Sequence, residues 1–162
     1  MAELAFYHLQ ALPLERALPQ LLGKCLERSW RALVEVGRPE VLGNLDEQLW
    51  TFDQSSFLPH ASPVSVPSKE AGRHPIWLRL FDPSDDETNP NVAQVHFFVA
   101  GAMPPQNASF DAFSRTCLIF DGAADDDVSA ARTVWKTHRA SGHDLSYWQQ
   151  TENGGWKKAA SS

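Results

Sequence analysis

Arg132, Lys136 and Arg139 stand at i, i+4 and i+7 in the segment VSAARTVWKTHRASG, a spacing that gathers three cations on one face of a helix. Val128, Ala131, Trp135 and His138 fall on the neighbouring face. The pattern therefore predicts an apolar side turned toward a core, with the edge of Trp135 beside the basic stripe. A cationic rim next to an apolar slot suits an acidic peptide that ends in a hydrophobic anchor. The same spacing also fits a plain solvated helix face, and spacing alone leaves both readings open.

Other chemistry is thin. The six histidines (8, 60, 74, 96, 138 and 143) are scattered, and His96 inside VHFFV reads as a strand residue with its tip paired rather than as a ligand. Asp125, Asp126 and Asp127 precede the basic segment, but consecutive residues at a helix start cannot all face one ion. Capping and compensation of the helix dipole are the expected uses. Neither a GxSxG elbow nor an HExxH pair occurs, and the turn QALPLE (10–15) lacks the glycines of a dinucleotide fingerprint or phosphate loop. Cys25 and Cys117 have no CxxC or Cys/His neighbour and read as buried reduced thiols. No catalytic residue, metal site or cofactor is predicted.

The elements that must position the stripe follow from apolar periodicity. AFYHL (5–9) has the content of a first strand, and a helical pattern then runs through Leu14, Leu18, Leu21, Leu22, Cys25 and Leu26, with Pro19 as its weak point. WRALVEVG (30–37) reads as a strand and RPEVLGNLDEQLW (38–50) as a helix with Pro39 in its first turn. PHASPVSVPSKEAGRHP (59–75) holds four prolines, three serines and a glycine and is expected to be a surface loop without regular structure. Three further strands are expected over 76–81, 92–101 and 114–122, then the basic helix, stopped by Gly142. The tail from His143 carries an NGG turn between YWQQT and WKK, which fits a short hairpin or a packed extension. Strand–helix alternation favours parallel pairing, so an α/β fold with an open, mostly parallel twisted sheet flanked by helices is expected.

Composition narrows the function classes. A chain of 162 residues, 43% apolar and 10% aromatic, fits a single domain with a real core. A net charge of −6 argues against unaided binding of duplex DNA, which draws on a clustered positive surface, so any basic patch must be local. The apolar runs are too short to span a bilayer, and the first residues lack a basic leader, which together lead to an expectation of a cytoplasmic protein.

Residues 49–60, LWTFDQSSFLPH, place aromatics at the end of the second predicted helix. In one reading Leu49, Trp50 and Phe52 finish an amphipathic helix and Phe57 tucks under the following loop. In the other, Trp50, Phe57 and His60 form an aromatic-centred docking patch. This stretch, taken with FDG (120–122), AARTVWK (130–136), YWQQ (147–150) and the strands containing AFYHL, PIWLRL and HFFVAG, resembles the chi subunit of bacterial DNA polymerase III over almost the whole chain.

That resemblance implies a single Rossmann-like domain over 1–162, without a phosphate loop and with 143–162 as a C-terminal extension. It implies a non-catalytic accessory subunit of the clamp-loader complex. Such a subunit grips the acidic, phenylalanine-terminated tail of single-stranded DNA-binding protein, holds the small psi subunit on another surface, and meets DNA only indirectly. Arg132, Trp135 and Lys136 match the family's tail-binding helix, with Arg139 extending the stripe. Trp50 and Phe57 match aromatics of the psi-side surface, used in some members by a helicase-like partner. Asp121 and Val128 depart from the family, standing where some members have an apolar residue and a lysine, and the departures predict weaker or differently placed tail binding. Two other classes remain on the sequence alone: an adaptor of another complex, and a degenerate α/β nucleotide-binding enzyme.

Overall fold

The computed structural model describes residues 3–51, 60–61, 68–82, 89–105, 112–153 and 155–161. Among these, one eight-stranded sheet is built from β1 (Glu3–Leu9), β2 (Ala32–Val36), β3 (His60–Ala61), β4 (Ile76–Leu80), β5 (Val95–Val99), β6 (Arg115–Asp121), β7 (Asp144–Gln150) and β8 (Trp156–Ser161), in the order β3-β4-β2-β5-β6-β1-β7-β8. Every pairing is parallel except β7 with β8. Helices α1 (Leu14–Glu27) and α2 (Pro39–Thr51) pack on one face and α3 (Asp125–Ala140) on the other, giving the expected α/β architecture.

Parallel strands covered on both faces read as continuous apolar runs, and β1 with LAFY and β6 with CLIF do so here, while β2 carries Glu35 among its apolar residues. Within β1, Ala5, Tyr7 and Leu9 face α1 and α2 while Leu4 and Phe6 face α3. Cys117 and Ile119 of β6 join the first set, and Leu118 and Phe120 the second. Helix α1 contributes Leu18, Leu21, Leu22 and Cys25, as its periodicity predicts, and runs through Pro19 without ending. Proline there removes one N–H, but the buried stripe on either side outweighs that loss. The thiols of Cys25 and Cys117 are free and buried, and burial raises them to about 11 and about 12 respectively.

Two expectations are corrected. The stretch 59–75 is not wholly irregular: His60–Ala61 pairs in parallel with Ile76–Trp77, and Ser68–Arg73 forms a 3₁₀ turn. Arg31 fixes that turn to the sheet by donating from Nη2 to the carbonyls of Gly72 and His74 at 2.6 and 3.0 Å, which compensates for the segment's poor propensity. Second, the three aspartates do not cap α3. Ala124 is the N-cap and supplies no side-chain hydrogen bond; Asp125, Asp126 and Asp127 occupy the first turn, where the helix dipole favours them and Asp127 also pairs with Arg38.

The tail adopts both forms expected of it. Strand β7 adds to the edge of β1, and β8 returns antiparallel with Thr151 N donating to Gly155 O at 2.8 Å. The described residues contain no helix long and apolar enough to cross a membrane.

Candidate functional site: a cationic and aromatic groove along the last helix

The apolar stripe of α3 turns Ala131, Val134 and His138 into the protein and leaves Val128 and Trp135 half-buried at its margin. Arg132, Lys136 and Arg139 are exposed beside that margin, and among the described residues none of them makes an ion pair. The neighbouring strands β1, β6 and β7 project Phe6, His8, Phe120 and Tyr147 toward the same place, enclosing a cavity of about 460 Å³. A cavity of that volume lies in the usual range for small-ligand sites, about 300–1,000 Å³. All four stripe residues named from the sequence, Arg132, Trp135, Lys136 and Arg139, line it.

Its walls are a ring cluster. Trp135 meets Phe6 edge to face at 5.1 Å and Tyr147 at 6.3 Å, and His8 stacks on Phe120 at 4.9 Å. The His8 Nδ1 and the Tyr147 hydroxyl share a short hydrogen bond, which fixes both rings against each other. Burial pushes the His8 imidazole below its ordinary range, Asp121 opposes this and Arg132 reinforces it. His8 therefore presents a neutral ring at neutral pH, and the groove takes its positive charge from the stripe alone. Burial likewise raises the Tyr147 hydroxyl, so it stays protonated.

Four of these wall residues, Phe6, His8, Phe120 and Tyr147, are not recognisable from the helix pattern. FDG (120–122) carried a trace of them: a Cβ on Gly122 would meet His8 Nε2 at 2.0 Å and the Leu9 carbonyl at 2.7 Å, so glycine there makes room for the histidine ring.

Asp121 does not line this groove. Its carboxylate accepts from the Ala123 N–H at 2.9 Å, and with Asp127 it borders a different cavity of about 410 Å³ at the carboxyl ends of the strands. Asp127 faces Arg38 there, at 3.8 Å. The position after Phe120 thus adds no carboxylate to the lining of the basic groove, though its field reaches His8. Val128 does line the groove, as an apolar contact. His138 is buried and packs 5.3 Å from His143, so it adds nothing to the stripe.

The second cavity sits where open α/β sheets usually hold a nucleotide, since β1 sends its chain to one face and the adjacent β6 to the other. Here the turn after β1 is already occupied. The N–H groups of Gln10, Ala11 and Leu12 all donate to Gln150 Oε1, at 3.1, 2.8 and 2.8 Å. A neutral amide oxygen from β7 takes the place that a phosphate oxygen takes in such folds.

A third polar cluster lies under the sheet. Glu35 accepts from Arg79 Nε and Nη2 at 2.6 and 3.0 Å and from His96 Nε2 at 2.9 Å. Burial would raise Glu35, but the hydrogen bonds from His96 and Arg79 hold it below the ordinary carboxylate range. Burial drives His96 below its ordinary range against the pull of Glu35, so a neutral ring donates to an ionised carboxylate. The paired tip expected for His96 is the one observed. Groups of three or more metal-ligating side chains do not occur among the described residues.

Of the second candidate surface, Trp50 ends α2 and His60 starts β3, but their side chains and all of Phe57 lie outside the described residues, as does Phe52.

Residues 1–146 match the family model described as DNA polymerase III chi subunit, HolC. No curated protein sequence matches.

Proposed function

The chain belongs to the DNA polymerase III chi subunit family, a family of replication accessory proteins, and from that premise we propose that it links the clamp-loader complex to single-stranded DNA-binding protein by gripping that protein's acidic C-terminal tail in the α3 groove. The observation that carries the proposal is the convergence of three cations with a ring-lined cavity, where among the described residues the cations have no ion pair and no carboxylate lines the wall. A peptide ending in phenylalanine fits this chemistry on both counts. Its ring enters among Phe6, Phe120, Trp135 and Tyr147, while its terminal and side-chain carboxylates meet Arg132, Lys136 and Arg139. The protein contributes no catalysis in this role, and at the α3 groove it meets the partner's tail rather than DNA.

Psi, or a helicase-like partner, docks on a separate surface centred on Trp50, Phe57 and His60. The family resemblance of LWTFDQSSFLPH supports this assignment.

Calorimetry against an acidic peptide, with and without its final phenylalanine, tests the tail assignment. Removal of that residue abolishes binding if the ring cavity is the anchor. Arg132→Ala costs about 1–3 kcal/mol through its charged hydrogen bonds, or about 5- to 150-fold in Kd, and affinity falls with added salt. Unchanged affinity in Arg132→Ala would remove the assignment.

A further inference from the structure

On the opposite face of the sheet, between the end of α1 and the β7–β8 hairpin, lies a cavity of about 270 Å³ that none of the functions above uses. Three tryptophans wall it: Trp30, Trp148 and Trp156. Trp148 and Trp156 lie beyond residue 146, where the family match ends, while Trp30, Lys24, Arg28 and Arg115 lie within it.

Its chemistry is one-sided. Lys24 and Arg28 stand exposed on its rim, and neither makes an ion pair among the described residues. The Arg28 guanidinium lies 5.2 Å over the Trp30 ring, and Lys158 Nζ lies 5.9 Å over Trp148. Arg115 forms part of the floor, donating to the Tyr7 hydroxyl at 2.8 Å. The Trp156 indole N–H is buried and has no acceptor among the described residues. Among the described residues, no carboxylate, carboxamide or aliphatic hydroxyl lines the cavity. Glu3, the acid bordering Arg115 at 3.9 Å, is held by Ser146 Oγ.

An occupant must therefore offer negative charge and acceptors to the rim and a flat ring to the indoles. A phosphodiester backbone brings acceptors only and carries bases whose faces stack, whereas a peptide backbone brings N–H groups along its whole length that this lining cannot satisfy. Duplex DNA hides its bases, and the chain's net charge of −6 opposes a broad phosphate contact. We propose that this cavity takes one base of single-stranded nucleic acid among Trp30, Trp148 and Trp156, with the flanking phosphates on Lys24, Arg28 and Lys158. Cations held at indole faces, next to a space for one ring system, are the usual means of sequence-tolerant strand binding. The site lies across the sheet from the α3 groove, so both can be filled together.

Quenching of tryptophan fluorescence by a short oligothymidylate at low salt reads this directly. Binding is expected in the range of about 1–100 μM, with log K falling by about 2 per decade of salt for three phosphate contacts at about 0.7 each. Lys24→Glu with Arg28→Glu is expected to weaken binding at least about tenfold and to flatten the slope. Trp148→Ala is expected to lose the stacking contribution that Trp148→Phe keeps. Because Lys24 and Arg28 are exposed, their charge reversal leaves the melting temperature and the affinity for the acidic peptide unchanged, which separates this site from the tail groove. Three results would overturn the proposal: no quenching up to about 100 μM, quenching that survives the double charge reversal, or quenching by the acidic peptide and not by the oligonucleotide. Equal affinity for thymidine monophosphate and the oligomer would also overturn it, in favour of a free-nucleotide site.

Discussion

Gln150→Ala removes the one oxygen on which the N–H groups of Gln10, Ala11 and Leu12 converge. Each bond is worth about 0.5–1.5 kcal/mol net, but three donors sharing one amide oxygen cannot each count in full, so about 1.5–2 kcal/mol is the reasonable sum. The side chain is 4% exposed, and losing its buried methylene adds about 0.8 kcal/mol. Water offsets part of this, because the same turn borders the 410 Å³ cavity and its N–H groups can be rehydrated from there. The balance is about 2 kcal/mol, which for a chain of this size lowers Tm by about 4–8 °C.

Gln150→Glu provides the control. Gln150 Nε2 has no acceptor among the described residues, so a carboxylate forfeits nothing there and accepts the three N–H groups more strongly, near the N-terminus of α1. It is expected to match or exceed the native stability at neutral pH. That advantage is lost as pH falls through its lowered folded-state pKa. Thermal and urea unfolding of both variants measure this. A Gln150→Ala variant within about 0.5 kcal/mol of native, or a Gln150→Glu variant as unstable as Gln150→Ala at neutral pH, refutes the role given to this oxygen.

Gly122→Ala forces a methyl group onto the His8 ring and the Leu9 carbonyl; it is expected to cost about 1–3 kcal/mol in stability and to weaken acidic-peptide binding, measured by unfolding and calorimetry on the same preparation. The folded-state pKa of His96 is lowered, so its contribution is complete above the unfolded value of about 6.5 and is lost as pH falls below it. Glu35, also lowered, extends the loss below about pH 4.5. Urea midpoints should therefore decline from about pH 6.5 downward. His96→Gln, which can still donate to Glu35, should flatten the upper part of that decline without abolishing it, because His8 and His138 are lowered as well. An identical slope in that variant would show that His96 is not the group titrating.

The strands were legible because parallel strands buried on both faces carry largely apolar runs, as β1, β2, β5 and β6 do, interrupted in β2 by Glu35 and in β5 by His96, which pair with each other. The basic stripe was legible for a similar reason, since Arg132, Lys136 and Arg139 lie on one helix and the period of that helix alone brings them together. The far wall of the groove was not. His8 and Tyr147 are 139 residues apart and meet only because β7 pairs with β1, a strand order that periodicity does not encode. The aspartates of α3 misled for a more local reason: an Asp run before a helix reads as a cap, but the chain enters the helix one residue earlier, at Ala124, and the carboxylates fall inside it.

The absence of glycine in QALPLE was readable as the loss of a phosphate loop, and the structure gives that loss a physical form. A turn of free N–H groups at the carboxyl edge of a parallel sheet would attract anions whether or not the protein had any use for them. Gln150 satisfies those groups from within, and Asp121 and Asp127 place negative charge around the same crevice. The crevice that defines nucleotide-binding relatives of this architecture is thus chemically closed. Two faces of the sheet offer binding chemistry outside that crevice: the α3 face, where three cations without ion pairs among the described residues surround a ring-lined slot, and the α1 face, where the extension adds two indoles to a basic rim. Sealing the carboxyl edge and opening the faces is what a docking platform requires, because a partner that approaches a face does not compete with small anions for the edge.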